Sequence, residues 1–328
     1  MKHTAESVSP SHPDICCNRI AAAILDEMLK QDPESRTAIE VLGGHNIVTI
    51  CGEVTTNAYV DIRKIVKRIA GNDVGIQINL EQQSLEIAQG VDKGGAGDSG
   101  ICVGYACNEN DSLIPQELYL AKSLCKYIYD IHPEDGKTQI TIDGNKEITD
   151  IVCSFCNVLS SQLRSIIFEW LNIYKIKKDN INIHINPAGD WSIGGFAADS
   201  GCVGRKLAVD SFGPRVPVGG GEFTGGKDPS KVDKSGVLMA RKRAIELLKD
   251  LDAKEVLVKV AYGIGIAEPI MVTAEIDGKE YEFDDLQKEK ERFKPNSIIK
   301  ELNLKQPIYE ETACWGPFGN KKFPWEIQ

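Results

Sequence analysis

Apolar residues recur at helical spacing in five stretches of this chain, with short strand-like runs between them. From Asp14 to about Gln31, Ile20, Ile24, Leu25 and Leu29 share one face, and Pro13 suits the first helical turn. Helices are also predicted over Tyr59–Ile69, Pro115–Tyr129, Ser160–Leu171 and Lys234–Leu251. In the second of these, Leu118, Ala121, Leu124, Cys125 and Ile128 fall on one face. Strands are predicted over Ser35–Leu42, Asn46–Val54, Gly75–Leu80, Ile101–Ala106, Gln139–Ile142, Ile181–Ile185, Glu255–Tyr262 and Pro269–Ile276. The rhythm is a pairing of helix with strand, repeated about three times. At 328 residues the chain exceeds one typical core, which predicts two or three domains.

Glycine-rich segments interrupt this rhythm. Gly189 to Gly226 holds eleven of the thirty glycines, a density that weakens helices and strands and suits close approach of backbone to a ligand. Arg205, Lys206, Lys227 and Lys231 are threaded through this stretch and its continuation to Ser235, beside Asp199, Asp228 and Asp233. Cations with exposed N–H groups suit a polyphosphate. Carboxylates among them suit a phosphate-bound Mg2+. A flexible linker would not carry the apolar run Leu207–Val209. A second glycine cluster, Gln89 to Gly100, surrounds Asp98.

The net charge of -10 argues against a nucleic-acid surface, so the local basic set favours a small anionic ligand. The opening MKHTAESVSPSHPD has no apolar segment of a secretory signal, and no run is long and apolar enough to span a membrane. Ten scattered cysteines read as reduced, buried thiols, which predicts a cytoplasmic location. The pair Cys153 and Cys156 has no second CxxC or histidine pair to complete a zinc site. No Walker A or dinucleotide-binding GxGxxG motif occurs in the required context. His12, at a helix N-terminus, is open to a capping or an anion-binding role. Glu40 and Glu53, on adjacent predicted strands, are open to holding a cation or facing solvent.

Several motifs then match one family together. ESVSPSHPD, DEMLKQDPESRTAIE, GEVTTNAYVDI, QGVD, GAGDSGICVGYACNE, DGKTQITI, INPAGDWSIGG, DSGCVGRKLAVDSFG, GGGEFTGGKDPSKVDKSG, YGIGIAEP, PIYEETACWGPFG and FPWE run in order from residue 6 to residue 326. The chain resembles the S-adenosylmethionine synthetases (methionine adenosyltransferases). The resemblance implies an α+β fold of three similar α/β units around a pseudo-threefold axis. The units fall at roughly 1–90, 91–188 and 189–328 and interleave at the N-terminus. It implies joining of ATP to L-methionine by attack of sulfur on C5′, followed by hydrolysis of tripolyphosphate to phosphate and pyrophosphate. A non-catalytic nucleotide- or methionine-binding homologue and a tripolyphosphatase are the alternatives.

The resemblance also implies roles. His12 stabilises charge at the ribose 5′ oxygen, and Lys137, Arg205, Lys206, Lys227 and Lys231 are catalytic phosphate ligands. Asp135, Trp191 and Asp199 line the ATP region, with Trp191 packing on adenine. Glu53, Gln89, Asp98 and Lys231 surround methionine. Asp14 and Asp233 hold Mg2+, expected as a pair of ions per site, and Glu40 holds K+. The implied assembly is a homodimer, or a dimer of such dimers, with the active site between subunits. The chain departs from the family pattern at Ile15 (a lysine in HPDK), at Asp190 (commonly arginine), at Ser99 (usually glutamine) and by one additional glycine in TGGKD. The segment between Gln89 and Asp98 is much shorter than the family's gating loop, which predicts incomplete closure over methionine.

Overall fold

The computed structural model describes residues 1–83, 91 and 94–327. Its thirteen described strands form three sheets, each backed by helices. The first sheet joins β1 (His3–Val8), β6 (Gly136–Ile142), β7 (Ile148–Phe155) and β8 (Asn182–Ile185) in the order β1-β6-β7-β8. The second is built on β2 (Arg36–Gly44), β3 (Ile47–Thr55) and β4 (Gly75–Gln82), with the two-residue strands β9 (Gly201–Cys202) and β10 (Gly226–Lys227) added along β2. The third runs β5 (Gly100–Cys107), β11 (Glu255–Tyr262), β12 (Met271–Ile276), β13 (Lys279–Tyr281).

The first two sheets share one pattern: two antiparallel pairings and then a parallel one. A parallel neighbour requires a crossover, supplied by α2 (Ile62–Ala70) before β4 and by α4 (Ser160–Ile173) before β8. The third sheet ends instead in an antiparallel hairpin. Each sheet has an apolar core against its helices. One lies between α1 (Pro13–Gln31) and β2–β4, a second between α3 (Gln116–Ile131), α4 and the first sheet, and the third between α6 (Val232–Asp250) and the third sheet. A short α5 (Leu207–Asp210) precedes β10, and α7 (Leu286–Arg292), α8 (Pro295–Glu301) and α9 (Tyr309–Trp315) follow the third sheet.

The helix starting near Asp14 is present, but it is buried around most of its circumference from Pro13 to Leu29. It is a central element: α9, α2, β9 and β10 pack on it in addition to β2, so a single-face reading was too narrow. α6 is similar, with Val232 to Arg241 buried without interruption. Among the described residues, no helix is long and apolar enough to cross a membrane.

Candidate active site

The N-terminus of α1 gathers the first group of predicted residues. His12 is the N-cap, and its Nδ1 accepts the Asp14 N–H at 3.2 Å. An accepting Nδ1 places the proton of a neutral ring on Nε2. Burial, reinforced by the Lys206 charge, pushes the imidazole down to about 4. The ring is therefore neutral near pH 7, with an Nε2–H to donate. Asp14 is 1% exposed. Its Oδ1 accepts the Cys202 N–H at 2.9 Å and lies 3.4 Å from Arg205 Nε, while Oδ2 takes the Lys206 ammonium. The 201–206 loop reaches Asp14 because residue 201 is glycine: a Cβ there would lie 2.2 Å from the Pro13 carbonyl carbon. Lys137 on β6 and Asp199 also act on the imidazole through their charges. Lys137 is meanwhile held by Glu6 of β1 at 2.9 Å.

Beside this group, Asp135 is buried and accepts the Gly195 N–H at 2.9 Å; burial raises its carboxyl above the usual range. With Ser11, Asn157, Ile193 and Gly195 it lines an open cleft. Half-buried Trp191 lines an adjacent cleft with Ser154 and Asn186, and its carbonyl accepts the Asn157 N–H at 2.9 Å.

A second group forms where β10 docks on β2. Lys227 pairs with Ala38 in register, and Ala38 with Glu53 of β3. Lys227 Nζ donates to Asp233 at 2.7 Å and Asp98 at 3.3 Å. Lys231, the N-cap of α6, donates to Asp228 at 3.4 Å, and Asp228 accepts the Thr37 N–H at 2.9 Å. Asp233 stands in the first turn of α6, its carboxyl raised by burial. Glu40 lies on the exposed face of the sheet together with Leu42, Ile47 and Glu53; partial burial raises its carboxyl although the Lys227 charge opposes this.

Sequence reasoning missed two members of this second group. Glu222 is 7% exposed, and burial together with the Glu40 charge pushes its carboxyl up to about 8. Lys234 is fully buried, donates to the Gly225 carbonyl at 2.8 Å, and is pushed by burial down to about 8. The available signal was an acid lodged within GGGEFTGG. Among the described residues no ion pair joins the two groups. Gln89 and most of the short gating segment lie outside the described residues.

The departures have local explanations. Ile15 is 2% exposed and packs with Val8 and Val209, so that position belongs to a small apolar cluster. Asp190 accepts the Ser160 N–H at 3.1 Å and Asn186 Nδ2 at 2.9 Å, capping α4 from a distant loop because Leu159 at the N-cap has no side-chain acceptor. Ser99 Oγ accepts the Ile264 N–H at 2.8 Å, pinning the entry of β5 to the β11–β12 loop.

Among the described residues no three His, Cys, Asp or Glu side chains converge to cage a metal. The carboxylates present supply part of an oxygen shell, which suits a hard cation completed by substrate phosphates. The first group offers a neutral donor and several cations to a leaving polyphosphate; the second alternates cations with carboxylates.

Comparison with known proteins identifies the family. Family models match the whole length: the S-adenosylmethionine synthetase N-terminal domain over residues 1–94, the central domain over 93–191 and the C-terminal domain over 193–327. The S-adenosylmethionine synthase of Petrotoga mobilis is 36% identical, with 99% of this chain and 96% of the relative covered. That alignment spans 388 positions against a chain of 328 residues, so the relative carries insertions that this chain lacks. The synthase of Treponema denticola is 37% identical over 98% of this chain and 95% of its own length. A solved S-adenosylmethionine synthetase from Campylobacter jejuni superposes with a TM-score of 0.89 at 31% identity, covering 99% of this chain and 96% of that one. The chain belongs to the S-adenosylmethionine synthetase family, the methionine adenosyltransferases.

Proposed function

We propose that the two groups are the two halves of one methionine adenosyltransferase site, each half supplied by a different copy of the chain. ATP is held with its phosphates among Lys137, Arg205, Lys206, Lys227 and Lys231, and its base near Asp135, Asp199 and Trp191. Methionine lies near Glu53, Gln89, Asp98 and Lys231, where Asp98 receives its ammonium group. The thioether sulfur attacks C5′ of the ribose, the C5′–O5′ bond breaks, and the electron pair stays on the departing tripolyphosphate. The single observation that carries this reading is His12: a neutral imidazole, fixed by its Nδ1, with Nε2–H free to meet the charge growing on O5′. A preorganised donor of this kind acts mainly in the transition state. The lysines and arginine hold the tripolyphosphate for its subsequent hydrolysis.

Mg2+ bound through Asp14, Asp233 and the phosphates would supply further neutralisation of the leaving group. Glu40 would hold K+. A homodimer, alone or paired, is supported by the exposed apolar residues Leu42 and Ile47 around Glu40, and Ile101, Ile264, Ile266 and Ile270 near Asp98. The cysteine pattern supports a cytoplasmic location.

The test is His12→Asn. S-adenosylmethionine formation should fall by roughly 10²-fold or more. Tripolyphosphate hydrolysis, which leaves C5′–O5′ untouched, should fall much less. Equal losses in both would assign His12 to folding or to general phosphate binding.

A further inference from the structure

Glu222 occupies a position that is energetically unfavourable for an acid. It has a left-handed φ of +55°, a conformation that costs a non-glycine residue free energy. Its side chain is almost wholly buried. Oε1 accepts the Gly226 N–H at 2.7 Å, but Oε2 is buried with no hydrogen-bond partner among the described residues. Another acid, Glu40, lies close enough to share a hydrogen bond with this carboxyl when one of the two carries a proton. The loop is shaped around the arrangement: a Cβ on residue 225 would fall 1.7 Å from Glu222 Oε1. The glycine at 225 therefore leaves room for this carboxylate.

Two carboxyl groups in contact repel unless a proton or a cation lies between them. The neighbouring ammonium groups are already engaged. Lys234 donates to the Gly225 carbonyl, and Lys227 to Asp233 and Asp98. We propose that Glu222 is a second carboxylate ligand, beside Glu40, of a monovalent cation on this face of the second sheet. Oxygen donors suit a hard ion, and affinity follows the charge count of the ligands. The two nearby ammonium groups leave little negative charge for a divalent ion. The inference rests on the reading of Glu40 as a cation ligand; Glu222 is the new element, a residue of a matching motif to which the resemblance gives no role.

The experiment uses Rb+ as the probe, by equilibrium dialysis of the full chain, with Glu222→Gln and Glu40→Gln side by side. Both variants should weaken Rb+ binding about tenfold or more, the scale of losing one charged ligand. In parallel, replacing N-methylglucamine by K+ at equal ionic strength should raise the melting temperature of the unaltered protein but not of Glu222→Gln, whose amide can donate to Glu40 without an ion. If Glu40→Gln weakens binding and Glu222→Gln does not, Glu222 shares a proton with Glu40 and the proposal fails while the Glu40 reading stands. If neither weakens binding, both fail. Should Glu222→Gln not fold, anomalous scattering from crystals of the unaltered protein grown with Rb+ decides. Density on the Glu222 carboxylate supports the proposal, and density on Glu40 alone, or none, overturns it.

Discussion

Asp26 sits between α1 and α9, buried, with its two oxygens accepting the Tyr309 and Glu310 N–H groups at 2.9 and 2.8 Å. Burial outweighs those bonds and pushes its carboxyl up to about 6. A raised carboxyl holds its proton longer in the folded state. Its contribution to stability is full below the unfolded value of about 3.9 and is lost as pH rises through about 6. The stability difference between the unaltered protein and Asp26→Asn should therefore shrink by about 1 kcal/mol from pH 5 to pH 7.5. Thermal melts of both proteins at the two pH values check this; a difference that does not change with pH would contradict it. At this scale the grouping of Arg205 and Lys206 was legible, because they stand in a glycine-rich run that suggested a phosphate site, whereas Asp14 entered only with the family resemblance. Glu222 was not, because its conspicuous properties are a positive φ and a distant neighbour on β2, and neither is written into local sequence.

Between elements, α6 lies very close on β5. A Cβ at Gly104 would fall 2.0 Å from the Ala240 carbonyl carbon, which is backbone and cannot swing aside. Gly104→Ala should destabilise the protein by about 1–3 kcal/mol or more, the cost of overpacking a filled core. Urea melts measure it, and an unchanged midpoint would mean that helix and sheet separate freely. Long periodic elements such as α1, α3, α4 and α6 were readable from their apolar spacing. α2 begins at Ile62, later than expected, because Asp61 accepts the Lys64 N–H at 3.1 Å and sets the helix start. β1 was not readable: HTAESV is mostly polar, and its partners in β6 lie 129 to 139 residues away. β7 was not among the predicted strands; Cys153 of its CSFC motif, set aside as half of a zinc site, is a buried core residue of the strand. Two-residue strands such as β9 and β10 are too short to leave any periodicity, although they deliver Cys202 and Lys227 to the site.

Across the whole molecule, the C-terminal segment is anchored by one buried ion pair. Arg241 has no exposed surface, donates to the Tyr105, Ser112 and Leu113 carbonyls, and meets Glu326 through two bonds of 2.9 and 2.8 Å. Removing one partner strands the other charge, so Glu326→Ala should cost about 3–5 kcal/mol in an equilibrium unfolding experiment. A loss below about 1 kcal/mol, the range of an exposed pair, would show the pair to be open to water. The proposed assembly is tested at the same scale. Leu42→Asp places a charge on the exposed sheet face beside Glu40; sedimentation velocity should show a shift to monomer, and adenosyl transfer should fall with it. A dimer of unchanged stability and activity would place the interface elsewhere. The way the sheets share strands also governs how this chain can emerge from a ribosome. β1 is made before β6 but cannot pair until β6 exists; the second edge of β2, whose first edge pairs with β3, waits for β9 and β10, and β5 waits for β11. Unpaired strand edges are sticky, and pairings distant in sequence form slowly. The nascent chain must therefore carry open edges while long stretches are still being made, and the Arg241 guanidinium gains its carboxylate only once Glu326, 85 residues further on, has been added.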